Sequence, residues 1–336
     1  MKNRKQYVCV DGVNSNILTL QYGVPQGSVL GPILFLIYIN DAQFVTNFIH
    51  LVLYADDMNL LVSDKSLRKS VTVLNKELAR LEEWFQANKL TINLSKTKFI
   101  LFGSRQRLAN SISTRLEQEF SLKLGRSEIK RASHTKFLGL VLDENLSWSF
   151  HIDSISRKVS KSIGILYRAR HYLSLDILIN LYYSFIYPHI SYGTFIWGSN
   201  YKTKLLPIHL LQKRALRAIT FSDGRTASRP LFQKLDTLNI FEIVKLQLSE
   251  LVYKHNTNEL PEVFSYYFCD ISAIHKYETR SKTKKNLFLP RVNLSYGQFG
   301  VKYAAVKTWN ETPNEIRACM SIKAFRKKYK EFLLSQ

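Results

Sequence analysis

Cysteine is scarce in this 336-residue sequence, which contains only Cys9, Cys269 and Cys319. Three widely spaced cysteines exclude a disulfide framework and a C-x-x-C zinc site. The first ten residues also lack the apolar core of a secretory signal peptide. These absences argue against secretion and predict a protein of the reducing cell interior, in the nucleus or the cytoplasm.

Long apolar runs are absent too, since no stretch of about eighteen purely apolar residues occurs. Residues 177–197 carry no formally charged side chain, but Asn180, Pro188, His189 and Gly193 interrupt them. We therefore expect buried helix and strand there rather than a membrane span, and no membrane partner.

Acidic residues are few, with 26 Asp and Glu against 48 Lys and Arg, for a net charge of +22. Residues 1–102 hold 11 of the cationic and 8 of the acidic residues, so most of the excess lies in residues 103–336. Such a surface favours a polyanionic partner, nucleic acid first, although charge alone also aids solubility. The basic run from Lys276 to Arg291 suits a mobile loop near a phosphate backbone, or a solvated linker.

Hydrophobic periodicity predicts an α+β fold. Residues 67–85 show the spacing of an amphipathic helix, and residues 48–62 read as two strands broken by Ala55-Asp56-Asp57. Strands are also predicted at 98–102 and 136–142. Helical spacing dominates from Trp148 onward, with further predicted helices at residues 204–220, 241–255 and 321–334.

Asp56 and Asp57 are the residues that most clearly indicate chemistry. Adjacent carboxylates at a hairpin tip repel each other and add nothing to a core, although an Asp-rich surface turn is a structural alternative. A divalent cation removes the conflict. Hard oxygen ligands suit Mg²⁺, which proteins hold with one or two carboxylates while substrate phosphates complete the coordination sphere.

Several motifs occur in a specific order: GVPQGSVLGP at 23–32 precedes Tyr54-Ala55-Asp56-Asp57, and NLSKTK at 93–98 follows. Together they resemble the reverse transcriptases of non-LTR retroelements, particularly jockey-like transposable elements. Phe137-Leu138-Gly139, then Asp143, Trp148 and His151, resemble the passage from palm to primer-gripping hairpin and thumb. Later segments, including LQKRALR at 211–217, are similar to the C-terminal regions of these elements.

The resemblance implies an RNA-directed DNA polymerase, a two-metal nucleotidyltransferase that uses Mg²⁺ or Mn²⁺. Its implied partners are an RNA template, a DNA primer and deoxynucleoside triphosphates, and nothing in the sequence indicates an oligomeric state. It makes Asp56 and Asp57 the catalytic metal ligands and Lys96 a phosphate-contacting lysine. The implied template-binding and nucleotide-binding residues are Pro25, Gln26, Gly27 and Tyr54.

The implied architecture is a partial palm at 1–103 and the end of the palm with a primer-grip-like hairpin at 104–145. A helical thumb-like region at 146–260 and a basic C-terminal region at 261–336 follow.

The same resemblance places a first catalytic aspartate before the GVPQG motif, where only 22 residues precede Gly23 and Asp11 lies in an apparent Asp-Gly turn. That aspartate is therefore expected upstream of Met1, so the chain is expected to be truncated and inactive alone. Two alternatives remain open: a non-catalytic fragment that binds nucleic acid, and a nonfunctional relic with an exposed sheet edge beside the hairpin.

Overall fold

A computed structural model describes residues 4–20, 23–24, 27–113, 121–274 and 285–336. The chain forms two compact units, Met1–Thr135 and Lys136–Gln336. The first combines small β-sheets with helices and the second is mostly helical, which confirms the predicted α+β class. Among the described residues, no helix is both long and apolar enough to cross a membrane.

Short strands make up the sheets of the first unit and a hairpin at residues 134–143, whose second strand belongs to the second unit. They are β1 (Arg4–Gln6), β2 (Cys9–Val10), β3 (Val13–Asn14), β4 (Leu18–Leu20), β5 (His50–Tyr54), β6 (Asp57–Leu61), β7 (Lys98–Phe99), β8 (Leu122–Leu124), β9 (Ser127–Arg131), β10 (His134–Phe137) and β11 (Leu140–Asp143). The pairs β1–β4, β2–β3, β5–β6 and β8–β9 are antiparallel, whereas β7 runs parallel to β9.

Helices of the first unit are α1 (Leu30–Ile39), a 3₁₀ turn (Asn40–Phe44), α2 (Leu67–Ala87) and α3 (Arg105–Ser113). Those of the second unit are α4 (Ser149–Ala169), α5 (Leu175–Phe185), α6 (Tyr187–Ser191), α7 (Thr194–Trp197), α8 (Lys202–Thr220), α9 (Ser228–Lys234), α10 (Ile240–Asn256), a 3₁₀ turn (Glu262–Phe264), α11 (Ile271–Ile274), α12 (Ser295–Phe299), α13 (Val301–Glu311), α14 (Asn314–Arg317) and α15 (Ile322–Ser335).

The long helix α2 organises the first unit. Its apolar stripe packs on a small core of Leu78, Leu122, Leu124 and Ile129, against which Leu60 of β6 also lies. Glu77 is fully buried, and its carboxylate accepts hydrogen bonds from the Asn47 N–H at 3.0 Å and the Arg80 guanidinium at 2.8 Å. Because a buried carboxylate needs such donors, Glu77 holds the chain before β5 against α2.

Two sequence predictions need correction. Residues 136–142 are not one strand, because Leu138 and Gly139 take positive φ values of 43° and 85° and form a turn between β10 and β11. The uncharged segment 177–197 contains helices α5, α6 and α7 and no strand. Its interrupting residues mark helix ends, since Pro188 lies in the first turn of α6 and Gly193 precedes α7 with φ 62°.

The core of the second unit forms between α4 and α8, with α5, α10, α13 and α15 around them. Gln212 of α8 is fully buried in this core. Its amide donates to the Tyr182 hydroxyl at 3.0 Å and to the Leu238 carbonyl at 3.3 Å, and its oxygen accepts the Ile240 N–H at 2.7 Å. One side chain thus joins α5, α8 and the start of α10.

The last helix, α15, closes this core with Phe325, Tyr329 and Leu333. The Arg229 guanidinium donates to the carbonyls of Leu333 and Leu334 at 2.7 and 2.8 Å and also pairs with Glu242. The positive charge of Arg229 is favourable near a helix C-terminus, and its hydrogen bonds satisfy carbonyls that have no partner within the helix.

The entry into α4 is built by Asp143, which is buried. Its carboxylate accepts hydrogen bonds from the N–H groups of Asn145, Ser147 and Trp148 at 3.2, 2.9 and 2.8 Å. These bonds hold Trp148 at φ 60° immediately before the helix. Of the residues placed in the primer-gripping segment, Asp143 therefore has a visible structural task.

His151 lies beneath this turn. Its Nδ1 accepts the Val141 N–H at 3.2 Å, and its ring meets that of Trp197 edge-on, with centroids 5.2 Å apart. Burial, and secondarily the charge of Lys158, lowers the pKa of His151 to about 4. The neutral ring is therefore the form that the fold accepts.

We predict that Gln212→Leu destabilises the protein by about 3 kcal/mol, because the buried Tyr182 hydroxyl, Leu238 carbonyl and Ile240 N–H lose their partner. Urea unfolding followed by circular dichroism measures this change. Gln86→Leu makes the same substitution at an exposed position of α2 and should shift stability by less than about 0.5 kcal/mol. Equal effects of the two substitutions would contradict the structural role of Gln212.

We also predict that acid weakens the fold through His151. Its pKa in the folded state lies below the unfolded value of 6.5, so the stability present above pH 6.5 is lost as the pH falls toward 4. The loss is on the order of 3 kcal/mol. His151→Gln should flatten this part of the curve of unfolding free energy against pH, whereas His50→Gln, at an exposed position of β5, should not flatten it. A wild-type curve that His151→Gln does not alter would contradict the prediction.

Candidate active site

The hairpin of β5 and β6 presents the paired aspartates. The strands pair in antiparallel register from His50 with Leu61 to Tyr54 with Asp57, which leaves Ala55 and Asp56 as a two-residue loop. Asp57 is thus the first residue of β6, and Asp56 is the second residue of the turn. On the inner side, Leu60 anchors the hairpin to the core under α2.

Ala55 carries the strain of this turn. Its φ is 50°, a left-handed value that costs an L-residue about 1–2 kcal/mol, and Asp56 returns to negative φ. A tight hairpin whose first loop residue alone has positive φ fits the type II′ pattern, in which glycine is usual at that position. Alanine is tolerated because the register fixes both flanking strands.

The two carboxylates lie in solvent. Asp56 and Asp57 are exposed, and no described residue donates a hydrogen bond to either carboxylate or forms an ion pair with it. They are free to take an external partner, and two adjacent anions on a constrained tip attract a cation of high charge density. In the described part of the chain, no cluster of three or more His, Cys, Asp or Glu residues could hold a metal.

Lys96 lies elsewhere in the first unit, in the turn between α2 and β7. Asn93 organises this turn, because its carbonyl accepts the N–H groups of Lys96 and Thr97, both at 3.1 Å. The Lys96 side chain is exposed. No hydrogen bond or ion pair among the described residues connects Lys96 with the two aspartates.

The glycine-rich segment is described only in part. Pro25 and Gln26 lie outside the described residues. Gly27 has φ 77°, and a Cβ built on it would meet nothing within 4 Å. The positive φ, rather than crowding by neighbouring atoms, therefore explains why glycine is present at position 27. The space beside its Cα is open. Just beyond, the Ser28 hydroxyl accepts the Gly31 N–H at 3.0 Å in the first turn of α1.

Tyr54, the last of the predicted site residues, ends β5 next to the loop with 62% of its surface exposed. The structure therefore brings together Tyr54, Asp56 and Asp57. Sequence reasoning missed the strained residue Ala55, because alanine does not by itself indicate a left-handed turn. The signal available was spacing, since two strands that pair up to Tyr54 and Asp57 leave room for only two loop residues.

One family model matches the part of the chain that contains this hairpin. Residues 3–142 match the model of the family described as reverse transcriptase (RNA-dependent DNA polymerase). The matched range includes the glycine-rich segment, the hairpin with Asp56 and Asp57, Lys96 and the turn at Leu138.

Alignments with similar curated proteins cover more of the chain than this range. The RNA-directed DNA polymerase from mobile element jockey of Drosophila melanogaster is 28% identical over 85% of the chain. The jockey polymerase of Drosophila funebris is 28% identical over 65% of the chain, and the probable RNA-directed DNA polymerase from transposon BS of Drosophila melanogaster is 28% identical over 69%. The chain spans only 31%, 24% and 26% of the lengths of these three relatives.

The strained turn yields a prediction about stability. Ala55→Gly should change the free energy of unfolding by less than about 0.5 kcal/mol, because relief of the left-handed strain offsets the greater freedom of glycine in the unfolded chain. The same substitution at Ala79, exposed in the middle of α2, should cost about 1 kcal/mol. Urea unfolding of the two variants checks the contrast, and an equal loss in both would contradict the assigned turn.

Proposed function

We propose that residues 3–142, which match the reverse transcriptase family model, include part of a polymerase palm, and that the chain supplies this part and the downstream part of an RNA-directed DNA polymerase. The observation that carries this proposal is the exposed Asp56-Asp57 pair at a fixed hairpin tip, without competing donors among the described residues. Reverse transcriptases bind a template, a primer and nucleotides, and depend on divalent metal ions.

Asp56 and Asp57 are the residues proposed to hold Mg²⁺, or Mn²⁺ in its place. Their fit rests on ligand chemistry: both offer hard carboxylate oxygens, both are exposed, and neither is engaged by a described cation. When bound, the metal ions of such a site activate the primer hydroxyl and neutralise charge on the triphosphate. The chain's own task is to fix the two carboxylates, and the register of β5 with β6 does so.

Other residues of the first unit are proposed to position the substrates. The left-handed, open backbone at Gly27 lets a base or sugar approach closely, and Pro25 and Gln26 belong to the same proposed template-binding and nucleotide-binding turn. Tyr54 borders the metal ligands. Lys96 is proposed to neutralise or protonate the departing pyrophosphate, where negative charge grows during nucleotidyl transfer.

Two-metal chemistry needs a further carboxylate, which we propose enters beside this hairpin on an additional strand. Among the described residues, β5 and β6 pair only with each other, so their outer edges are available to another strand. The apolar helix α1 also has exposed side chains, including Leu30, Ile33, Leu36 and Ile37. An additional segment of polypeptide, such as the longer relatives contain, would cover the open strand edges and the exposed apolar side chains of α1.

We further propose that the regions after the palm, including the helical thumb-like region at 146–260 and the basic region at 261–336, bind the nucleic acid. A fragment that binds nucleic acid without chemistry is the second candidate function. The observation in its favour is charge: residues 103–336 hold 37 Lys and Arg against 18 Asp and Glu. Residues 275–284 of the predicted basic loop lie outside the described residues. Salt-sensitive RNA binding that is indifferent to Asp56 would fit this function.

We predict that Asp56→Asn and Asp57→Asn each weaken Mn²⁺ binding, followed by electron paramagnetic resonance, by about tenfold or more. Each should lower RNA-templated primer extension by about 100-fold or more, since metal ligation supplies several kcal/mol of transition-state stabilisation. The extension assay supplies the additional carboxylate-bearing strand that the proposal requires, taken from a longer similar polymerase.

The matched control is Asp11→Asn, which changes an exposed aspartate in a turn of the same unit, where Asp11 has φ 50°. It should leave both readouts unchanged, because asparagine also tolerates that conformation. Retention of Mn²⁺ binding in both hairpin variants would sink the metal assignment. If both hairpin variants lose Mn²⁺ binding but the wild-type protein does not extend a primer, nucleic-acid binding without chemistry is the function that remains.

A further inference from the structure

A cluster of arginines and aromatic rings lies where α4 and α8 end, in the second unit. The Arg170 guanidinium is 5.0 Å from the centre of the Tyr167 ring and 5.1 Å from that of Phe221. Arg214 approaches the Tyr167 ring at 5.5 Å. His171 meets Phe221 edge-on at 5.6 Å, and Tyr172 follows in the chain. We call this group the arginine-aromatic cluster: Tyr167, Arg170, His171, Tyr172, Arg214 and Phe221.

The packing of two helices creates the cluster. At the start of α4, the Ser149 hydroxyl accepts a hydrogen bond from the Lys204 ammonium group, near the start of α8, at 2.9 Å. At the other end, Arg170 follows α4 and touches Phe221, which follows α8. The two helices therefore run parallel, and their C-terminal ends lie side by side.

A purely structural reading explains part of this arrangement. Helix C-termini carry partial negative charge, so Arg170 is favoured there, and arginine stacked on a ring stabilises an exposed site by about 0.5–1 kcal/mol. That reading accounts for the arginines. It does not explain why position 221 is occupied by phenylalanine.

Phe221 has φ 54° at the end of α8, the position where helices usually place glycine or asparagine. A bulky L-residue in this conformation costs about 1–2 kcal/mol. Phe221 does not recover this cost by burial, since 55% of its surface is exposed, and Tyr172 is 88% exposed. The Phe221 ring is thus presented to solvent beside Arg170 at a cost in stability, and the exposed Tyr172 follows Arg170 by two residues. This arrangement points to a binding role.

The charge around the cluster defines its ligand. In their last turns, α4 carries Arg168 and α8 carries Arg217, and neither helix has an acidic residue near this end. The acidic residues nearest to the cluster in the sequence are Asp176 and Asp223. In the described part of the chain, no carboxylate forms an ion pair with Arg170 or Arg214. The ligand must therefore be anionic and must also offer flat faces to the exposed rings.

We infer that the arginine-aromatic cluster binds a single-stranded segment of nucleic acid, with bases stacked on Phe221 and Tyr172 and phosphates near Arg170 and Arg214. Unpaired bases offer the π-faces that a duplex hides within its own stack, and aromatic stacking contributes about 1–3 kcal/mol per base. This site lies outside the proposed metal centre and adds to the proposed polymerase function a contact with unpaired template or product.

The test measures binding of the full chain to a fluorescent single strand of about 12 nucleotides, as RNA and as DNA, with a duplex of equal length for comparison. Tyr172→Ala and Phe221→Asn should each weaken single-strand binding about tenfold, and asparagine keeps the left-handed backbone at 221. Arg170→Gln combined with Arg214→Gln should reduce the dependence of binding on salt.

Controls remove matched groups elsewhere in the second unit. Tyr266→Ala removes an aromatic ring that is 90% exposed, and Lys327→Gln with Lys328→Gln removes two exposed charges from α15. These controls should retain single-strand binding within about twofold, since they remove no stacking surface of the cluster. Circular dichroism should show that every variant is folded.

A second readout locates the contact directly. Strands that contain 5-iodouridine should crosslink under ultraviolet light to peptides that contain Tyr172 or Phe221. Preference for RNA or for DNA identifies the strand that the site serves. Wild-type binding by both aromatic variants, equal affinity for duplex, or equal displacement by a polyglutamate peptide would overturn the inference.

Discussion

The parallel packing of α4 against α8 is the contact on which the second unit depends. Each helix buries one apolar face in a shared core, and their remaining faces carry most of their Lys and Arg residues. Burial of one face forces the charges to the other, because isolated charges are too costly to place in the core. A basic surface therefore results from the same amphipathic pattern that folds the unit. The buried amide of Gln212 then fixes α5 and α10 to this pair.

The first unit follows a different principle, in which strained or exposed groups are held by short, local restraints. The positive φ of Ala55, the open flank of Gly27 and the solvated pair Asp56 and Asp57 add nothing to stability. They persist because strand register and Leu60 hold the hairpin from beneath. Local strain in a protein is retained where the surrounding structure determines the conformation, and it often marks sites of function.

Much of this fold could be predicted from the sequence. Helix α2 was expected at 67–85 and spans Leu67–Ala87, and the hairpin around Asp56 was expected at 48–62. Amphipathic periodicity carries such information directly. Backbone conformations at Ala55, Leu138 and Phe221 could not be read in the same way, because non-glycine residues rarely adopt positive φ and tertiary contacts impose it. The basic residues of α4 could be predicted from the sequence. The contacts of Tyr167 with Arg214 and of Arg170 with Phe221 could not, because they depend on how α8 packs against α4.

The bonds from Arg229 to the final carbonyls of α15 also affect the order of folding during synthesis. They join residues 104 and 105 positions apart, and Phe325, Tyr329 and Leu333 complete a core in which α4, α5, α8 and α10 are made much earlier. Contacts between such distant residues form late, because a long loop must close first. The second unit can therefore finish its core only after α15 has left the ribosome. Until then its apolar surface remains exposed, a state in which emerging chains aggregate or engage chaperones.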